Sequence, residues 1–213
     1  KREGSELTGN LDKYIRLHSA VRVAVLMHAL TETRENLKNI SAVPLSAAVA
    51  FLTSMTTSGE SVFPGGSVIV KGYGSFVVTT KDALAREFSY ELAGPGKWSF
   101  PELEVEIEDA PASGLEEDRE DVVYLDPGAV RFPIKVRSFK PGDRFVPLGM
   151  KSRKKVKDFF IDRKVPAFMR RRVPIFLSGG EIIWIGGMRI DERAKVKGKP
   201  KKVLKLTLLR PRF

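Results

Sequence analysis

From Leu26 onward, Ala29, Leu30, Leu37 and Ile40 return at helical spacing, and Leu11, Tyr14 and Ile15 do so upstream. This predicts a long helix or helix pair over roughly residues 10–38. A second helix opens at Pro44, carries Leu45, Ala48, Val49, Leu52 and Met55 on one face, and ends near Ser58-Gly59. After that the period changes to two. Ser67–Lys71 and Ser75–Thr80 flank Gly72-Tyr73-Gly74 as a hairpin. Leu103, Val105 and Ile107 alternate with Glu102, Glu104, Glu106 and Glu108, which describes a strand with one buried and one wet face. Residues 112–121, crowded with carboxylates, form a solvated loop, and Val122–Leu125 is a strand stopped by Asp126-Pro127-Gly128.

The terminal part starts with a strand at Phe132–Val136 and a turn at Pro141-Gly142-Asp143. Ser152 is placed to cap a helix with Val156, Phe159 and Phe160 on its inner face. Pro166 starts a short helix from Ala167 to Arg172, which Pro174 prevents from continuing. Ile175–Leu177 and Ile182–Ile185 flank Ser178-Gly179-Gly180 as a hairpin, and Val203, Leu204, Leu206 and Leu208 mark a last strand. The fold class expected is α+β, with a small helical domain at 1–60, a β-rich segment with an acidic loop at 61–130, packing with the next part, and a mixed domain with short helices at 131–213. No repeat of solenoid length is visible.

Charge changes this picture. The chain carries +11 overall, but residues 1–130 hold −8 and residues 131–213 hold +19. An acidic-to-neutral body is joined to a strongly cationic module, a directed field rather than general solubility charge. There is no cysteine, which excludes disulfide scaffolds, thiolate zinc sites and Cys nucleophiles. Apolar runs such as Ala24–Met27 are far too short to cross a bilayer, so no membrane is expected, and a cytoplasmic location is. The start, Lys1-Arg2-Glu3, has neither an initiator Met nor an apolar signal region, as expected of a piece of something longer.

Candidate chemistry is sparse. His18 and His28, ten residues apart on helix, do not share a face as metal ligands would, and no metal site is expected. Asp143, Asp158 and Asp162 stand among cations and are expected to orient them rather than catalyse. Ser178-Gly179-Gly180-Glu181 begins like the pyrophosphatase loop SGGxDS. Ile182 and Ile183 then stand where Asp and Ser belong, and the segment joins strands, so it reads as a turn without a nucleotide site. No catalytic residue and no cofactor site is assigned. What remains is the cationic set: Arg137, Arg144, Lys151, Arg153, Lys154, Lys155, Lys157, Arg163, Lys164, Arg170, Arg171, Arg172, Arg189 and Arg193. Arg and Lys on short helices and turns suit a phosphate backbone, and these residues are the expected nucleic-acid-binding set.

Along the module stand, in order, Val136-Arg137, Pro141-Gly142-Asp143-Arg144-Phe145, Pro147-Leu148-Gly149-Met150, Lys155-Val156-Lys157-Asp158-Phe159-Phe160-Ile161-Asp162, Val165-Pro166, Arg170–Pro174 and Ile183-Trp184-Ile185-Gly186-Gly187-Met188-Arg189-Ile190. This order resembles the C-terminal domain of the tRNA(Ile)-lysidine synthase family over roughly residues 131–195. The helical segment, Phe63-Pro64-Gly65-Gly66 and the hairpin containing Tyr73 are similar to that family's middle region, less distinctively. The resemblance implies an ATP-dependent ligase, using ATP with Mg, that joins lysine to the wobble cytidine of an isoleucine tRNA with a CAU anticodon through an adenylated tRNA. The family's catalytic pyrophosphatase-loop domain is N-terminal and is not seen here, so the fragment alone is expected to be inactive and to grip the tRNA body and acceptor stem. The helical segment would act as a spacer between stem and anticodon, and a homodimer is a possible assembly. The alternatives are a free-standing basic RNA-binding or protein-interaction module unrelated to lysidine synthesis, or a free-standing enzyme with a carboxylate pair assembled in space.

Overall fold

The computed structural model describes residues 2–3, 6–33, 42–63, 66–112, 119–198 and 200–211. The chain divides into two units, one of Lys1–Arg86 with Lys164–Phe168, the other of Glu87–Arg163 with Met169–Phe213. The class is α+β, as expected. The first unit runs on to Arg86, and within it Ile69, Phe76 and Val78 of the 67–80 hairpin share a core with the helices.

In the first unit an antiparallel sheet runs in the order Arg2–Glu3, Glu6–Asn10, Ser75–Thr80, Ser67–Gly72, Ser58–Val62. The hairpin turns through Tyr73 and Gly74 with φ of 45° and 80°. Two successive left-handed residues match the right-handed twist of the flanking strands. Ile69, Phe76 and Val78 face a helical layer built from Leu11–Ile15, Ser19–Thr33 and Ala42–Thr53, whose Tyr14, Leu26, Leu30, Leu45, Ala48 and Leu52 complete the core. Val68, Val70 and Val77 point to the opposite face, where Leu84 and Phe168 cover them. Burial on both sides explains why the centre of this strand, Val68–Val70, is apolar at successive positions.

Three expectations are corrected here. The segment 1–58 is not purely helical, since Glu6–Asn10 pairs with Ser75–Thr80. Gly9 permits this approach, because a methyl there would lie 2.3 Å from Phe76 Cζ. The second helix stops at Thr53, Ser58–Val62 is a strand, and Met55 is 98% exposed beyond the helix. The reason is Lys71, a residue 1% exposed on the helix-facing side of its strand. Its Nζ donates to Phe51 O at 2.6 Å, Ser54 O at 3.1 Å and Ser54 Oγ at 2.9 Å, and lies over the Phe51 ring. A buried ammonium thus collects carbonyls left open at the helix C-terminus and complements the negative end of its dipole. The expected continuation of the first helix over 34–38, and most of the acidic loop, fall outside the described residues.

The second unit has two antiparallel sheets around one core. The first orders Arg189–Ile190, Glu181–Ile185, Pro174–Ser178, Ile134–Ser138, Ser89–Leu92, and the second Gly96–Ser99, Leu103–Pro111, Lys202–Pro211, Val122–Leu125. Leu92, Ile134, Val136, Phe176 and Trp184 from the former meet Leu103, Val105, Ile107, Leu204 and Leu206 from the latter. The glutamate alternation is a wet strand face, as expected, with Glu106 and Glu108 paired to their cross-strand neighbours Lys97 at 3.2 Å and Lys205 at 2.9 Å. Ser178-Gly179-Gly180 is the expected hairpin turn, its glycines at φ of 57° and 84°.

The helix expected from Ser152 is Val156–Asp162 and has no side-chain cap, because Lys154–Lys155 is drawn into a two-stranded ribbon with Arg144–Phe145. Val156, Phe159 and Phe160 form its buried face as expected, Phe159 edge-on to Phe145 and Phe160 to Phe139. The helix expected over 167–172 is only a single 3-10 turn, Ala167–Met169.

The 143–150 loop is pinned by Asp191, a residue with no exposed surface. Its carboxylate accepts from Val146 N at 2.8 Å, Arg193 N at 2.9 Å, Arg193 Nε at 2.8 Å and Arg193 Nη2 at 2.9 Å. Burial by itself pushes this carboxyl upward. The hydrogen bonds and the guanidinium charge outweigh burial and hold it below its ordinary value.

Two stability outcomes follow. Lys71→Met leaves buried carbonyls of the 42–53 helix without a donor and lowers stability by about 2–3 kcal/mol, read as a lower midpoint in urea unfolding. Asp191→Asn lowers stability at neutral pH by about 2–3 kcal/mol. Because the folded-state pKa is depressed, the carboxylate's contribution is present above its unfolded pKa and is lost as the folded form is protonated. The gap between variant and unaltered chain therefore closes below about pH 4; an equal gap at pH 7 and pH 3 would contradict the assignment.

Candidate nucleic-acid interface

The cations of the terminal module fall into two groups according to whether a carboxylate already holds them. Arg137 makes a bidentate pair with Asp143, both bonds 2.8 Å and both side chains 11% exposed. Asp143 also accepts from Lys140 N, so this pair closes the 138–143 turn. Arg193 is committed to Asp191 and, through Nη1 at 2.8 Å, to Glu181. The Asp191 hydrogen bond raises the guanidinium pKa still further. Arg153 reaches the same Glu181 at 3.2 Å, and the Arg193 hydrogen bond, with both positive charges, holds Glu181 below the usual carboxylate range. Lys154 pairs with Asp162, Arg163 with Glu120 at 3.1 Å, and Arg171 with Glu87 at 3.4 Å. Arg170 and Arg172 are half-buried and engaged in interactions of their own. Asp143 and Asp162 thus orient cations, as expected for them.

Arg144, Lys151, Lys155, Lys157 and Arg189 are exposed and have no ion pair among the described residues. Arg144 and Lys155 are direct cross-strand partners in the short ribbon. Phe145, buried completely, turns the neighbouring side chain outward, so the two positive heads share one exposed face. Like charges directly opposite destabilise a ribbon on their own. An anion placed between them removes that cost. Lys151 and Lys157 lie on the chain at either end of the ribbon's second strand. Lys164, also in the expected set, belongs to the segment 164–168 of the other unit, and its backbone has a φ of 54°.

Three exposed residues escaped the sequence reading: Arg131, Phe132 and Lys135. Lys135 was detectable, since Ile134 and Val136 point inward and alternation sends Lys135 out. Arg131 and Phe132 precede the strand, and no local pattern marks them. Their place is set by Ser178, whose Oγ accepts from Arg131 N at 2.6 Å and donates to Arg131 O at 2.9 Å. That use of Ser178, and the absence of a following helix, make the Ser178-Gly179-Gly180 turn unsuited to the phosphates of ATP. His18 accepts from Ala20 N at 3.4 Å on one helix start, and among the described residues no group of His, Asp or Glu is arranged to hold a metal ion.

Comparison with known proteins agrees with this module. Residues 134–206 match the family model described as the TilS substrate C-terminal domain. The tRNA(Ile)-lysidine synthase of Geobacter sulfurreducens is 30% identical over 191 residues, which covers 88% of this chain and 40% of that protein. The synthase of Clostridium tetani is 46% identical over 87 residues, 41% of this chain and 19% of that one. The crystal structure of a TilS C-terminal domain superposes with a TM-score of 0.53 at 26% identity, covering 58% of this chain and 96% of that one. The chain spans less than half the length of the curated relatives it matches. With its ordered motifs and these matches, the module is a TilS C-terminal domain, and the chain as a whole is similar to a C-terminal portion of the tRNA(Ile)-lysidine synthases.

Proposed function

We propose that this chain is the tRNA-holding part of a ligase that attaches lysine to the wobble cytidine of the isoleucine tRNA with a CAU anticodon. The reaction, with ATP and Mg, belongs to a pyrophosphatase-loop domain outside these 213 residues. The partners are the acceptor stem and body of the tRNA, and the setting is the cytoplasm. The observation that carries this reading is the Arg144/Lys155 face. Two unneutralised cations are held side by side on a short ribbon, with Lys151 three residues before its second strand and Lys157 two residues after it.

An A-form stem offers closely spaced phosphates and a shallow minor groove edged with 2′-hydroxyls, and it is recognised mainly through backbone and shape. Binding a phosphate between Arg144 and Lys155 replaces their mutual repulsion with two charge-assisted contacts and releases counterions. Arg137 and Arg193, spent on Asp143 and Asp191, shape the surface instead of touching RNA. The fragment thereby contributes position, and the chemistry is supplied elsewhere.

Purified chain should bind isoleucine tRNA with an affinity that falls steeply as salt rises. Replacing Arg144 and Lys155 together by alanine should weaken binding about tenfold at low salt and reduce the log-log salt slope by about two, while thermal stability is unchanged or slightly higher. An unaltered slope in filter binding removes the ribbon from the footprint. Salt-independent binding by the unaltered chain sinks the reading altogether.

A further inference from the structure

Beside the Gly179-Gly180 turn a groove of about 360 Å³ is lined by Arg131, Phe132, Lys135, Leu177 and the two glycines. This volume is within the range of small-ligand sites. Phe132 is 37% exposed, an aromatic ring presented to solvent next to two exposed cations. Neither Arg131 nor Lys135 has an ion pair among the described residues, although Glu91 is the cross-strand neighbour of Lys135. The floor is open backbone, since a side chain added at Gly179 or Gly180 would meet nothing within 4 Å. The segment does not hang free: Ser178 clamps Arg131 through both its backbone groups.

We infer that this groove binds one unpaired nucleotide of the RNA, with the base stacked on Phe132 and its phosphate held by Arg131 and Lys135. The inference rests on the RNA-binding reading above and adds to it a single-stranded contact. A ring with cations beside it suits a base with a charged backbone, because every base has a π-face and each nucleotide carries one negative charge. Bare glycine backbone allows a flat ring to approach closely, where any side chain would hold it off. Position agrees as well. The same glycine turn continues into Glu181, which holds Arg153 and Arg193, and Arg153 precedes the Lys154–Lys155 strand of the phosphate-facing ribbon.

The test uses the 213-residue chain with two labelled probes, a short single-stranded oligoribonucleotide and a blunt RNA duplex, followed by fluorescence anisotropy at low salt. Phe132→Ala should weaken the single strand about five- to a hundredfold and leave duplex binding unchanged, and Phe132→Trp should retain single-strand affinity. Arg131→Ala with Lys135→Ala, both at exposed positions, should weaken the single strand and lower its salt slope even if the ring variant folds poorly. Equal losses for both probes, or failure of Phe132→Trp to keep affinity, overturns the inference. A chain that binds duplex but not single strand also overturns it and leaves the stem-binding reading intact. A chain that binds neither removes both.

Discussion

The Asp191 carboxylate is the constraint on which the cationic face depends. It is wholly buried, accepts its bonds from three nitrogens of Arg193 and from Val146 N, and so ties the 190–193 segment to the loop that carries Arg144 and Phe145. A carboxylate without surface exposure is tolerated only when its lone pairs are filled, and here they are. A second carboxylate, Asp143, acts on the other end of the same loop by fixing Arg137 and the Lys140 amide, and its own carbonyl receives Val156 N at the helix start. Two acidic residues thus hold in register the stretch whose outward function is positive. Phe145, Phe159 and Phe160 supply the apolar backing that turns this loop, ribbon and helix into one rigid piece.

Net charge is a poor guide to which cations do the outward work. The terminal module is strongly positive, yet a large share of its arginines are satisfied by carboxylates of the same unit. Where a planar guanidinium meets a carboxylate through two bonds, as at Arg137 and Arg193, the gain is geometric order as much as energy. The exposed lysines and Arg144, with weaker internal claims on them, are the groups able to exchange water and counterions for a polyanion. Partition of this kind separates residues that build a surface from those that use it.

Much of the architecture is legible in the sequence where it is written locally. The Leu103–Ile107 alternation, the 67–80 hairpin and the Phe159–Phe160 face are all periodic patterns that burial simply realises. What escapes is decided by partners distant in the chain. Nothing near Ser152 announces that Lys154–Lys155 will be captured by Arg144–Phe145 and so delay the helix. Nothing near Arg193 marks it as the partner of a buried Asp. Phe132 reads as an ordinary strand aromatic until Ser178 is seen to hold the residues before the strand in place. The resemblance to the synthase family, by contrast, was carried by the order of short motifs, which does not require knowing any of these contacts.

The lysine buried in the Ser67–Gly72 strand has a bearing on how its unit forms. Its ammonium ends the Ala42–Thr53 helix from a position about 20 residues later in the chain, so the helix has no defined terminus until the hairpin is in place. The hairpin, for its part, cannot bury that charge until the helix offers its carbonyls. Neither element is complete alone, and the exchange of one charge for several carbonyls couples them into a single cooperative folding unit. In this unit the end of a helix is a tertiary property.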